Sequence, residues 1–127
     1  MNVLYSLLTS FVFLWNVGTD VPYDAIEKAF RSNNSKEIVE MSKTKVLINV
    51  LGKEGAYSKS QAGLVLKGFF GKNPGSEFEY VFKGKQSTEG TFAIGNYKTK
   101  DSIFRVTIHF KKVSNDFKVE SLKIEKV

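Results

Sequence analysis

The last third of the chain contains "SIFRVTIHFKK", in which Phe104, Val106, Ile108 and Phe110 alternate with Ile103, Arg105, Thr107 and His109. A period of two separates the faces of a β-strand. A helix instead needs apolar residues three and four apart. Three neighbouring runs share the alternation. "SEFEYVFKGK" sets Phe78, Tyr80 and Phe82 against Glu79, Val81 and Lys83, and "GTFAIGNYKT" sets Phe92, Ile94 and Asn96 against Ala93, Gly95 and Tyr97. "DFKVESLKIEKV" carries Phe117 and Val119, then Leu122 and Ile124; the slip of phase predicts a bulge near Ser121. Short connections rich in Gly, Ser, Asn and Asp join the runs, so they predict an antiparallel meander of four strands.

Upstream of Pro74 the period changes. "VPYDAIEKAFRSNN" predicts a helix with Pro22 in its first turn and Asp24 and Glu27 toward its positive N-terminal end. Ile26, Ala29 and Phe30 form its apolar face, and residues 32–34 end it. "SKEIVEMS" predicts a short second helix capped by Ser35, with Ile38, Val39 and Met41 inward. In "KTKVLINVLG", Val46, Leu47, Ile48, Val50 and Leu51 predict a buried strand, followed by a turn over 52–55. "AYSKSQAGLVLKGFF" then returns to helical spacing. Ser58 and Gln61 have the spacing of a capping box, Tyr57 suits a staple contact, and Ala62, Val65, Leu66, Phe69 and Phe70 form one broad stripe. Gly71 and the Asn73-Pro74-Gly75 run are expected to stop this helix. Gly63 and Gly68 each cost about 1 kcal/mol against Ala in a helix, and close backbone packing is the expected reason. The order is helix, short helix, strand, helix and four strands. It predicts an α+β layering, with helices on one face of a strongly bent, mainly antiparallel sheet.

No charged residue precedes Asp20. The uncharged run over 1–19 is shorter than the roughly 20 apolar residues of a membrane span, and Asn16 and Gly18 interrupt it. It reads as a signal peptide with Val17-Gly18-Thr19 as the cleavage region. Residues 20–127 are then one mature domain without a transmembrane segment, exported to the periplasm or cell envelope. With no Cys, the chain has no disulfide, thiolate metal site, Cys nucleophile or lipoprotein anchor.

Lys and Arg outnumber Asp and Glu by 19 to 13. The excess is spread over strand ends at Lys43 and Lys45, Lys83 and Lys85, Lys98 and Lys100, and Lys111 and Lys112. Lysines so placed keep strand edges from pairing with other chains. They could also meet acidic glycans or anionic headgroups. Export disfavours nucleic acid as the partner.

The element order resembles the nuclear transport factor 2-like fold, a cone of helices packed in a bent sheet. "YSKSQAGLVLKGFFGKNPGSEF", "FAIGNYKTK" and "FRVTIHF" together resemble a family of small exported Bacteroidetes domains, domain of unknown function 4783. The resemblance implies the fold and export but carries over no catalytic residue. The wider superfamily includes isomerases, dehydratases and noncatalytic binding or dimerisation domains, among which fold alone does not choose.

The alternation places Phe78, Tyr80, Phe82, Phe92, Ile94, Phe104, Val106, Ile108 and Phe110 on the inner surface, with Tyr80 and Asn96 its polar additions. Phe30, Tyr80, Phe92, Asn96 and Phe104 are the candidate pocket-lining residues. No carboxylate falls on these stripes, so acid–base chemistry would need Asp24 or Glu27 to reach in from the first helix. Tyr80 reads better as a core residue with a satisfied hydroxyl. On the other face Arg105, Thr107 and His109 are the candidate interaction residues. Arg105 and His109 stand roughly 13 Å apart along the strand, too far for one hydrogen-bonded pair. A single His without Cys offers too few ligands for zinc, and no glycine run has phosphate-loop spacing, so no cofactor or metal is expected. The leading expectation is a noncatalytic module that binds a small apolar ligand or a protein partner at the open end of the cone. The alternatives are an isomerase- or dehydratase-like enzyme, and a homodimer formed through the outer sheet face.

Overall fold

The structure, a computed structural model, describes residues 20–127; the expected signal peptide lies outside the described residues. Helix α1 (Tyr23–Arg31) buries Ile26, Ala29 and Phe30, the face its spacing predicts. Helix α2 (Ser35–Glu40) is capped by Asn34 rather than Ser35: the Asn34 side-chain oxygen accepts the Glu37 N–H at 3.1 Å. Helix α3 (Lys59–Lys72) begins at Ser58, whose hydroxyl accepts the Gln61 N–H at 3.3 Å. Only this half of the expected capping box forms among the described residues. The helix buries Ala62, Leu66, Phe69 and Phe70, with Val65 half-buried. It runs through Gly71 and stops at Asn73, whose backbone N–H and side-chain amide both donate to the Phe69 carbonyl, at 2.9 and 3.1 Å.

Six strands form one sheet: β1 (Ser42–Val50), β2 (Lys53–Ser58), β3 (Gly75–Lys83), β4 (Gly90–Thr99), β5 (Ile103–Val113) and β6 (Asp116–Lys126), in the order β2-β1-β6-β5-β4-β3. The antiparallel meander expected from the alternation is β3 to β6. The β1 strand joins it parallel to β6, and β2 folds back on β1 across the Leu51-Gly52 turn. Strand β2 is an addition to the expected order. Its sequence "KEGAYS" contains no β-branched residue, so local composition gives little strand signal. Tyr57, expected as a helix staple, lies in this strand opposite Val46 and covers Gly55 with its ring.

Two of the register shifts decide which side chains point inward. On β6, His109 pairs with Ser121 and Phe110 with Val119, leaving Glu120 as the extra residue beside the position expected. On β3 the register shifts between Tyr80 and Phe82, which turns Phe82 outward to 49% exposure. Strand β4 reverses the expected phase. Ala93, Gly95 and Tyr97 are buried, while Phe92 and Ile94 face the other side. The cause is crowding, because the Phe78 ring occupies the space a Cβ at Gly95 would need. Where rings already fill the interior, the facing strand needs small residues, and hydrophobicity alone ranks Phe and Ile above them. In β1, likewise, Val46 and Ile48 are buried but Leu47 is half exposed, as is Leu51 in the turn that follows, so the run is not buried throughout.

The space between helices and sheet is packed with aromatic rings. Phe30 stacks on Phe78 at 4.8 Å and meets Phe70 edge-on at 5.6 Å. Phe69 meets Phe104 edge-on at 5.1 Å. Edge-to-face and offset contacts at such distances add to the stabilisation from burial itself. Tyr97 is fully buried with both hydrogen-bonding roles filled: its hydroxyl donates to the Asn73 carbonyl at 2.7 Å and accepts from the Asn33 amide at 2.9 Å. Asn33 holds a left-handed backbone at φ 54°, which Asn tolerates better than most residues, and also donates to the carbonyls of Phe30 and Gly75.

Candidate functional site

The inner candidates separate. Phe30 and Phe104 sit in the ring-filled interior at 0% and 2% exposure, packed against other rings of the chain. Tyr80 is inward and half-buried; its hydroxyl donates to the Tyr23 carbonyl at 2.8 Å. Burial pushes its pKa well above the usual tyrosine value, helped by the negative charges of Glu27 and Asp24 and by Tyr23. A committed hydroxyl with a raised pKa is a poor proton donor near neutral pH. Phe92 and Asn96 are not in the cone at all. They lie on the outer face, as the reversed phase of β4 requires. Asn96 lines a shallow cleft of about 270 Å³ beside Glu77, Glu79 and Lys98, and its buried side-chain oxygen has no hydrogen-bond partner among the described residues.

The two carboxylates of α1 also stay outside the interior. Asp24 is exposed, and Glu27 pairs with Arg31 at 3.3 Å. Arg31 in turn donates to the Phe78 carbonyl at 3.2 Å, tying α1 to edge strand β3 and satisfying an acceptor the strand edge would leave open. Lys83 lies over the rings of Tyr23 and Tyr80, at 4.6 and 5.1 Å. Among the described residues, no cluster of three or more His, Cys, Asp or Glu side chains is placed to hold a metal ion.

The outer face gathers the remaining candidates. Arg105, Thr107 and His109 project there from β5. His109 stacks on Phe92 with centroids 5.6 Å apart, and Phe92 lies against Phe82 at 5.3 Å. Three rings therefore form a continuous solvent-facing cluster across β5, β4 and β3. The same row continues through Ser121 on β6 to Leu47 on β1, and the next row joins Phe82, Ile94, Thr107 and Lys123. Charge brackets this patch. On one side Arg105 stands between Asn96 and Glu125, with Glu79 beyond; on the other Lys111 is opposite Lys118. Arg105 and His109 belong to different rows and do not act as a pair. The alternation of β5 places Arg105, Thr107 and His109 on this face as expected, whereas Phe82 and Phe92 were expected on the inner one. The signal available for Phe92 was the Gly95-Tyr97 alternation, because a strand face carrying Gly suits a crowded interior.

A family model described as a domain of unknown function (DUF4783) matches residues 23–125. A crystal structure of a DUF4783 family protein from Bacteroides ovatus is 30% identical, covers 87% of this chain and 98% of its own, and superposes with a TM-score of 0.79. A nuclear transport factor 2-like protein of unknown function from Shewanella baltica is 12% identical with a TM-score of 0.64, covering 83% of this chain and 87% of its own. A ketosteroid isomerase-like protein from Erwinia carotovora atroseptica is 12% identical with a TM-score of 0.67, covering 83% of this chain and 90% of its own. The last two likenesses are of fold alone. No curated protein matches the chain.

Proposed function

The chain belongs to the DUF4783 family, and from that premise we propose that it is a noncatalytic exported module whose outer sheet face pairs with the same face of a second copy. The ring cluster of Phe82, Phe92 and His109 carries this reading. Strand alternation normally turns polar residues to solvent, yet here Phe82 and Phe92, 49% and 36% exposed, lie in contact on the open side with Phe92 stacked on the only histidine. A two-fold axis in the plane of the interface and perpendicular to the strands lays β5 over β5, with Glu125 over Lys118 of the other copy and Arg105 over Lys111, so the rings rather than the charges carry the pairing. It brings Thr107 of one copy near His109 of the other. The cone has a structural role in this reading, since its own rings fill it and neither Asp24 nor Glu27 enters.

Sedimentation equilibrium tests the proposal. The wild type is expected to show a concentration-dependent dimer. His109→Glu, which sets an acidic charge in the cluster of both copies, should weaken it by about tenfold or more. Its melting temperature should change little, because His109 is exposed. A wild type that stays monomeric to millimolar concentration, or an unaffected dimer in the variant, contradicts the proposal.

A further inference from the structure

Among the residues that break local backbone preferences, Gly68 and Leu51 line one groove. Gly68 lies inside α3, where Gly costs about 1 kcal/mol against Ala. Close packing does not explain it, because a Cβ at Gly68 would meet no heavy atom within 4 Å. A Cβ at Gly63 would lie an ordinary 3.7 Å from Val39, so close packing does not explain that glycine either. Leu51 takes the left-handed region at φ 53° in the β1–β2 turn, next to Gly52 at φ 91°. Asn or Asp is the usual residue before Gly in such a turn, and a Leu there costs roughly 1–2 kcal/mol of backbone strain. Its side chain remains 50% exposed, so burial does not offset that strain. Local rules broken without compensation inside the fold point to a use outside it.

The groove lies between α3 and the β1–β2 hairpin and has a volume of about 330 Å³. Leu51, Tyr57, Leu64 and Phe69 give it an apolar lining, and the missing side chain of Gly68 leaves part of it open. Lys53 and Lys72 are its charged residues; no carboxylate lines it, and neither lysine forms an ion pair among the described residues. The volume is near the lower end of small-molecule sites, about 300–1,000 Å³, and suits one short chain. We infer that this groove binds a monomeric anionic amphiphile, with a single alkyl or aryl chain along the leucines and an acid group at Lys53 and Lys72. The site is separate from the outer sheet face, and either can fail without the other.

Isothermal titration calorimetry of the whole chain with decanoate, decanol and decylammonium tests the inference. Wild type should bind decanoate about tenfold more tightly than either of the other probes. Gly68→Leu fills the open space and should weaken decanoate at least about tenfold, while Gly68→Ala should raise the melting temperature through helix propensity. Lys53→Gln with Lys72→Gln should abolish the preference for decanoate over decanol. The inference is overturned if decanoate does not bind, if Gly68→Leu binds it as wild type does, or if decylammonium binds equally well. Association only with phosphatidylglycerol vesicles would also overturn it, as would binding only to an apolar peptide with a free carboxyl terminus. Loss of decanoate binding with self-association intact removes the groove alone.

Discussion

Replacing Phe69 by Ala tests how α3 closes the cone. Phe69 is 4% exposed and contacts three aromatic side chains, with centroids 5.6 Å from Phe70, 5.9 Å from Tyr97 and 5.1 Å from Phe104. Truncation removes the transfer free energy of the ring and leaves a cavity whose rigid ring walls collapse poorly, so the loss should be about 3–5 kcal/mol. That is a large share of the roughly 5–15 kcal/mol that holds a domain of this size together. With a urea dependence near 2 kcal/mol/M, the unfolding midpoint should fall by roughly 2 M. Phe69→Leu keeps much of the volume and should cost about 1–2 kcal/mol. Urea titrations followed by far-ultraviolet circular dichroism measure both variants. A loss below about 1 kcal/mol for Phe69→Ala would show that this face of α3 is not packed as described.

Three further outcomes follow from the hydrogen bonds and burial. Asn33→Ala should cost about 2–3 kcal/mol, because it strains a left-handed backbone and removes donors to Phe30, Gly75 and Tyr97; thermal melts check it. Asn34→Ala should cost about 1 kcal/mol through loss of the α2 cap, with Ser35→Ala nearly neutral, which chemical denaturation of the pair distinguishes. Burial raises the pKa of Tyr23, Tyr80 and Tyr97 above the ordinary 10.0, so the folded state keeps these protons after the unfolded chain has lost them. The stability this supplies is complete below pH 10 and declines as pH rises through the folded values. Spectrophotometric titration of tyrosinate should therefore show three late tyrosines that ionise together with alkaline unfolding.

Periodicity made most of the fold legible. The α1 and α3 stripes, the meander and the bulge at Glu120 each leave a local trace, because one face of each element is buried and the other wet. What was hidden depends on contacts distant in sequence. Gly95 faces inward because Phe78, on the neighbouring strand, needs the space, and that reverses Phe92 and Asn96. Phe82 turns outward at a bulge whose cause lies in pairing with β4. Strand β2 exists because β1 offers it a partner, not because "KEGAYS" favours strand. The outer candidates on β5 were readable because that strand alternates without interruption, whereas the rings that complete their cluster lie on the two strands whose phase the interior decides.

If two copies pair through their outer sheet faces as proposed, dilution separates them. Amide ¹H–¹⁵N spectra recorded over a dilution series test this pairing most directly, because they report association and its location together. Concentration-dependent shifts are expected at Phe82, Phe92, Ile94, Thr107 and His109, with α1, α2 and α3 unchanged. Spectra that do not change up to millimolar concentration, or shifts centred on the helices, would contradict the pairing.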